Sequence, residues 1–325
     1  MKVQSTSASA TVGVVLVNWN GAEHTIPCVE SLLAGSVRPD SIVVVDNASQ
    51  DDSADRIAER FPGVTLIRNS HNLGFTGGNN IGIDRLLTSG SAYLWILNND
   101  TTVDKECLSV LKTHLDAHPD VSACSGKITY AEPQNLIWYA GATYDPWTVQ
   151  SRHRGEGEND VGQYEQTADV PFISGCCMFV RREAVERVGV FDDRFFAYYE
   201  DSDWCRRAIR TSHRLQYVPS AIVRHKVSAT VGRVKARETA GTTSPFSVYI
   251  TNRNRLFMIR KHAAGVLQMG TAVLAYACWL FYYGTALVVL GRFQKFGALV
   301  MAAYDGALRP LNEAESIGKM PRYLR

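Results

Sequence analysis

Four short runs of aliphatic and β-branched residues, at 12–17, 41–46, 64–68 and 92–97, recur along the first third of the chain. Helical stretches at 28–33, 53–60 and around 80–87 separate them. Strands that are apolar on both faces need cover on both sides, and a helix after each strand supplies it. The pattern predicts an α/β fold with a mainly parallel central sheet. Ligands of such sheets bind beyond the carboxyl ends of the strands. Those ends are Asn18-Trp19-Asn20, Asp46-Asn47, the 69–72 segment and Asn98-Asn99-Asp100. All are polar and rich in Asn and Asp, which a sheet serving only as scaffold does not require.

Residues 101–230 change character. A helix at 105–115 precedes strands at 122–131 and 136–144, a polar loop at 151–169 and a strand at 172–180. An acidic start leads into a helix at 199–210, and short strands at 215–218 and 221–225 follow. After about residue 228 a basic segment (Arg233, Lys235, Arg237, Arg253, Arg255, Arg260, Lys261) runs into residues 263–291, which carry no charge. That run exceeds the ~20 apolar residues that cross a bilayer. The expected division is a catalytic domain at 1–230 and a C-terminal helical region at 231–325.

Composition narrows the function classes. With 34 Lys and Arg against 32 Asp and Glu, the net charge is +2. Nucleic-acid binders usually carry a strongly basic domain, so any polyanion must be met by a local site. Seven cysteines, without a C-x-x-C pair, point away from metal ribbons and redox motifs and toward a reducing cytosol. No stretch near the N-terminus reads as a signal peptide. The sequons at Asn47 and Asn99 lie on strand ends, where a glycan would block access, which favours the same compartment.

Three segments can carry chemistry. Residues 74–80 (Gly-Phe-Thr-Gly-Gly-Asn-Asn) open a helix and read either as an anion cradle or as a glycine-rich turn. Asn98-Asn99-Asp100 reads as an Asn/Asp turn or as ligands for a hard divalent cation, and sharing a rim with Asp46 favours the latter. Glu200-Asp201-Ser202-Asp203 suits a helix N-terminus. Three acids in four residues beside Phe195, Phe196, Tyr198 and Tyr199 exceed what capping needs, so a general base is also expected. His225 ends an apolar strand, where a histidine by itself reads as structural.

As a set these motifs resemble the family 2 glycosyltransferases of GT-A fold, over about residues 12–226. The resemblance rests on Val17-Asn18-Trp19-Asn20, on Asp46-Asn47-Ala48-Ser49, on Asn72-Leu73-Gly74-Phe75 with Gly77-Gly78-Asn79-Asn80, and on Leu97-Asn98-Asn99-Asp100. It continues through Ser174-Gly175, Glu200-Asp201 with Asp203, Cys205-Arg206-Arg207, and His225. The chain is most similar to the rhamnosyltransferase-like branch that builds bacterial surface polysaccharide. The resemblance implies an inverting, metal-dependent hexosyltransferase. Its donor would be a nucleotide sugar, dTDP-L-rhamnose or a UDP-sugar, and its acceptor a glycan or polyprenyl-linked sugar.

By the same resemblance, Val17, Asn18, Asp46, Asn72, Gly74, Asn79, Asn98 and Asn99 would bind the donor. Asp100, Asn98 and His225 would hold Mg²⁺ or Mn²⁺. Asp201 would be the catalytic base, with Glu200 and Trp204 at the acceptor site. Asn98 stands where the family's D-x-D motif begins with an aspartate, so metal affinity leans on His225 and the diphosphate. Two rivals are a catalytically inactive nucleotide-binding assembly subunit and a sugar nucleotidyltransferase. The latter would show a glycine-rich, basic signature after the first strand, where Asn18-Trp19-Asn20-Gly21 stands instead.

Basic residues flank the apolar run on both sides, Arg260 and Lys261 before it and Arg292, Lys295, Arg309, Lys319, Arg322 and Arg325 after it. The positive-inside rule then places both ends in the cytosol. A monotopic protein at the cytoplasmic face of the inner membrane is expected, with a hairpin or in-plane helices; Gly270 and Gly284 would suit a bend. The alternative is a helix pair buried at a homo-oligomer interface.

Overall fold

A computed structural model of the protein describes residues 10–133, 135–226 and 244–310. The first part alternates as expected: β1 (Val12–Asn18), α1 (Ala22–Leu33), β2 (Ser41–Asp46), α2 (Ser53–Arg60), β3 (Thr65–Arg68), α3 (Gly74–Thr88) and β4 (Tyr93–Leu97). β4, β1, β2 and β3 lie side by side and parallel. Their side chains are buried on both faces along β1, β2 and β4, as continuous apolar runs require. α3 begins at Gly74, well before the apolar periodicity starts. Its glycines hide the signal because the helix needs closeness there rather than side chains: a Cβ on Gly78 would stand 2.9 Å from Val17 Cγ1.

The second part turns the sheet direction. β5 (Thr101–Val103), α4 (Cys107–Ala117), β6 (Val121–Tyr130), β7 (Ile137–Tyr139), β8 (Ala142–Asp145), β9 (Gln150–His153), β10 (Ala168–Asp169) and β11 (Cys177–Arg181) follow in order. Next come α5 (Arg182–Val188), α6 (Glu200–Arg210) and β12 (Arg214–His225). The main path runs β10-β12-β6-β11-β4-β1-β2-β3, with β11 antiparallel between β4 and β6 and the longest ladder, β6 with β12, parallel.

Several expected bounds shift. The stretch at 136–144 breaks into β7 and β8 around Gly141, which has φ +93°. The polar segment expected as a loop holds most of β9, which pairs with β8 in a hairpin, and β10. The strands at 215–218 and 221–225 are one strand, β12, with a register shift between Val218 and Ile222. The strand expected at 172–180 starts only at Cys177, because the Gly175 N–H goes to a side chain of α6 instead of a ladder.

Among the described residues three helices follow: α7 (Pro245–His262), α8 (Gly265–Val289) and α9 (Phe293–Leu308). The expected domain boundary at 230/231, with Arg233, Lys235 and Arg237, lies outside the described residues, as do Lys319, Arg322 and Arg325. Ser244 caps α7, its Oγ accepting from Ser247 N at 3.1 Å. α7 is buried on most sides, between the α/β part and the α8–α9 pair. The apolar run forms one helix, and the chain folds back at Gly291 (φ +65°) rather than at Gly270 or Gly284. Gly284 instead admits α9, whose Phe296 ring would lie 3.4 Å from a Cβ there. α8 is long and apolar enough to cross a bilayer by length and composition. One of its faces stays open: Val266 is 91% exposed and Phe281 79%.

Candidate active site

The polar strand ends meet on one edge of the sheet, and most of their amides are engaged with each other. Asp46 Oδ1 accepts from Asn18 Nδ2 at 2.8 Å and from Ser49 Oγ at 2.6 Å. Its Oδ2 accepts from Ser49 N at 3.1 Å, which braces the turn at Ala48 (φ +62°). At 3% exposure Asp46 is first of all a staple between the ends of β1 and β2. Thr25 Oγ1 donates to Asn18 Oδ1 at 2.7 Å and accepts from Asn99 Nδ2 at 2.8 Å, tying β1 to the end of β4. Asn47 is buried, and its Nδ2 donates to Asn72 Oδ1 and Gly74 O, so its sequon offers no free amide.

At the glycine-rich start of α3 most of the leading N–H groups are bonded within the fold, as a turn requires. Leu73 N donates to Asn47 Oδ1, Gly74 N to Asn72 Oδ1 and Thr76 N to Phe196 O, so these first N–H groups are already satisfied. Gly74, at φ +73°, touches the Phe196 carbonyl so closely that a Cβ would stand 2.3 Å from it. Asn79 is fully buried within α3, its Nδ2 bonded to Phe75 O, and braces its own helix. Val17 is half-buried at the end of β1, beside Gly78.

The next cluster is built by the β5–β12 ladder, which pairs Thr101 with His225. His225 Nε2 then lies 3.1 Å from Asp100 Oδ1. Burial opposes ionisation of Asp100, yet the bond to His225 holds its carboxyl below the usual range. Asn98 Oδ1 and His225 Nδ1 are buried without a hydrogen-bond partner. An orphaned amide oxygen beside a carboxylate and an imidazole suits a small divalent cation that takes its remaining ligands from phosphate. Among the described residues no three His, Cys, Asp or Glu side chains could hold a metal ion, so these residues fit only such a shared site.

The third cluster is the N-terminus of α6. Asp201 Oδ2 accepts from Gly175 N at 2.9 Å and Oδ1 from Ser202 N at 2.7 Å. Burial pushes the Asp201 carboxyl up, and the two N–H bonds pull it part of the way back. Glu200 is 5% exposed with Oε2 unpartnered. Burial, with the Asp201 charge beside it, drives its carboxyl well above the ordinary value. Asp203 behaves oppositely. Burial alone would raise it, but His262 Nε2 at 2.7 Å, Arg207 Nε at 2.8 Å and Lys261 Nζ at 2.6 Å hold it far below the usual range.

Trp204 does not join this cluster: it is 2% exposed in the core, one helical turn beyond the acids, with Nε1 donating to Gly189 O at 2.8 Å.

What holds α6 in place was not anticipated from the sequence. The chain enters it through Phe196, Tyr198 and Tyr199, all non-glycine residues at positive φ (65°, 66° and 75°). Such a backbone persists only where its surroundings over-determine it. Asn254 of α7 supplies that: Nδ2 lies within bonding distance of Phe195 O (2.9 Å), Ala197 O (2.8 Å) and Tyr198 O (2.8 Å). Arg253 Nη2 donates to Arg194 O and Phe195 O and also to Asn254 Oδ1. The signal was present as the polar run Asn252-Arg253-Asn254-Arg255 between the apolar stretches 248–250 and 256–259 of one helix. Buried polar side chains need partners, and irregular backbone is where carbonyls are free.

Known proteins share this architecture. A family model described as glycosyl transferase family 2 matches residues 13–189. An N-acetylglucosaminyl-diphospho-decaprenol L-rhamnosyltransferase of Mycobacterium tuberculosis is 26% identical over 267 residues, covering 74% of this chain and 84% of its own. A dTDP-rhamnosyl transferase, RfbF, of Shigella flexneri is 23% identical, over 70% of this chain and 73% of its own. A mannosyltransferase of Pyrobaculum calidifontis, solved with GDP-Man and Mn²⁺, superposes with a TM-score of 0.55 at 16% identity. That alignment covers 93% of this chain and 88% of the other. The fold is GT-A with a C-terminal helical segment, and the chain belongs to glycosyl transferase family 2 as a glycosyltransferase.

Proposed function

We propose that the protein is an inverting hexosyltransferase that moves L-rhamnose from dTDP-L-rhamnose onto a sugar hydroxyl of a lipid-linked acceptor. The observation that carries the chemistry is Asp201. It is a carboxylate at the cleft, oriented by Gly175 N and Ser202 N, with its pKa raised by burial toward the range where a base works. Asp201 takes the proton of the acceptor hydroxyl. The hydroxyl oxygen bonds to the anomeric carbon as the bond to the diphosphate breaks on the opposite face. One displacement inverts the centre.

Asn98, Asp100 and His225 would hold a divalent cation, Mg²⁺ or Mn²⁺. Once bound, that ion offsets the charge that develops on the diphosphate. The rim around Val17, Asn18, Asp46, Asn72 and Gly74 would receive the nucleoside, with Asp46 keeping the β1 and β2 ends in register. Asn99 would close the sugar side, and Glu200, held neutral by burial, can donate a hydrogen bond to the acceptor. The rhamnosyl donor rests on the two rhamnosyltransferase relatives. A lipid-linked acceptor is supported by the relative that acts on a diphospho-decaprenol and by the open apolar face of α8. That face would lie in the cytoplasmic leaflet of the inner membrane, close to the cytosolic supply of nucleotide sugar.

The test is Asp201→Asn, assayed with dTDP-L-rhamnose and with UDP-sugars. Turnover should fall at least about 100-fold, the usual reach of general-base catalysis, while dTDP affinity stays within about twofold. A variant that keeps more than a tenth of wild-type kcat removes Asp201 from the role of base. Equal thermal protection by dTDP and by GDP would remove the donor assignment.

A further inference from the structure

On α7, between the turn that leads into Asp201 and the apolar helix, lies a guanidinium with no carboxylate within ion-pair distance among the described residues. Arg255, half-buried on α7, stacks on two rings of α8, with its Cζ 4.9 Å from the centroid of Tyr276 and 5.5 Å from that of Trp279. With the Gln150 amide turned so that its oxygen faces the guanidinium, Oε1 accepts from Arg255 Nη2 at 3.1 Å. Gln150 begins β9, and Arg152, two residues on, shares its face. Burial disfavours the charged form of Arg255, and the positive charge of Arg152 adds to that. Among the described residues neither arginine has a carboxylate within ion-pair distance. Asp145 at the end of β8 is engaged by Thr148 Oγ1 and Trp147 N.

A half-buried charge answered only by a neutral amide and by rings is costly unless an anion completes it. The neighbours say which anion. Asn254, the residue before Arg255, bonds Ala197 O and Tyr198 O in the turn that leads into Asp201. α7 thus joins that turn, through Asn254, to Tyr276 and Trp279 of α8, through Arg255, and α8 carries its open face with Phe281 and Tyr282. A lipid-linked sugar has the same order: reacting hydroxyl, sugar ring, diphosphate, hydrocarbon chain.

We infer that Arg255, with Arg152, forms an anion subsite that takes the diphosphate of the lipid-linked acceptor. The inference rests on the transfer reading above and adds to it where the acceptor's charge sits. The guanidinium fork can meet two phosphate oxygens at once, and its apolar face keeps the rings that border the lipid chain. Lysine cannot do both.

Geranyl diphosphate, a sugar-free lipid diphosphate, tests the subsite by calorimetry on the full-length protein in detergent, with the donor site saturated by dTDP and Mn²⁺. Wild type should bind it saturably. Arg255→Ala with Arg152→Ala should weaken binding at least about tenfold, and Arg255→Lys should fall between. Nucleotide affinity and melting temperature should stay near wild type in both variants. Unchanged geranyl diphosphate affinity in the double variant overturns the inference, as does absence of saturable binding by wild type. Inorganic pyrophosphate binding as tightly assigns the pair to a free anion, and parallel loss of nucleotide affinity assigns it to scaffolding; either result also overturns it. None of these outcomes touches Asp201, whose own substitution decides the base.

Discussion

Asn254→Ala isolates the contribution of the C-terminal helices to catalysis. The three residues at positive φ ahead of α6 each cost about 1–2 kcal/mol relative to ordinary backbone. Asn254 opposes that cost. Its two amide protons serve three carbonyls of the 195–198 turn, and its Oδ1 anchors Arg253. A hydrogen bond of this kind contributes about 1 kcal/mol net, and the carbonyls left behind are partly buried. Truncation to alanine therefore removes about 2–3 kcal/mol from the turn that presents Asp201. If that turn relaxes before turnover, kcat falls about 30- to 150-fold. The donor side is built from the ends of β1, β2 and β4 and the start of α3; Asn254 touches none of these, and the turn meets α3 at Gly74 and Thr76 through the Phe196 carbonyl, which Asn254 does not bond. Steady-state assays should show the loss in kcat with little change in donor KM, and calorimetry should give dTDP affinity within about twofold. A second substitution sharpens the result. Tyr198→Gly removes one steric penalty of about 1 kcal/mol, so added to Asn254→Ala it should recover roughly fivefold in kcat. A folded Asn254→Ala protein with kcat within threefold of wild type would refute the reasoning. So would a parallel collapse of nucleotide affinity.

Four further expectations follow from the same geometry. Because burial raises Asp201, the base stays protonated to higher pH than an ordinary carboxyl; the acid limb of kcat should lie above about pH 4, and a limb at or below it refutes the burial argument. Asp100→Ala should abolish transfer, and excess EDTA should do the same to wild type, with Mn²⁺ or Mg²⁺ restoring it; full activity in EDTA removes the metal from the reaction. Asp203→Asn leaves His262, Lys261 and Arg207 facing a neutral amide in the core, so urea denaturation should show about 3–5 kcal/mol of lost stability. Its folded pKa is depressed, so that contribution is present above the unfolded value of about 3.9 and fades as pH falls through the folded one; a loss that persists unchanged in strong acid contradicts it. Leu274→Asp with Phe281→Asp, on the open face of α8, should release the protein from anionic vesicles in flotation assays, whereas retention on them points to another contact surface. Point substitutions suit this better than deleting residues 263–325. Tyr276 bonds to Asn252 O and Gly306 packs on Leu256, so deletion would strip α7 as well.

Local sequence determined the parallel half of the sheet, because strands buried on both faces can only be written as continuous β-branched runs. It also placed Asp46, Asn98, Asp100 and Asp201 at element ends, since short polar side chains after an apolar run have few other uses. Their company was a tertiary matter. His225 reaches Asp100 only because β5 pairs with β12, a ladder between segments more than a hundred residues apart. Of the two readings open at 74–80, contacts within the fold favour the turn: Asn72 Oδ1 and the Phe196 carbonyl take the Gly74 and Thr76 N–H groups. Trp204, put at the acceptor site by the resemblance, lies one helical turn beyond the acids, where α6 is packed into the core. α7 makes the contrast sharpest. Its sequence shows a run of polar residues, 251–255, between apolar stretches and nothing about whom they serve. Only the folded chain brings Arg253 and Asn254 to the Phe195, Ala197 and Tyr198 carbonyls of the turn ahead of α6. A backbone held at positive φ leaves little local trace when its residues are phenylalanine and tyrosine, so the clamp and the conformation it holds become visible together.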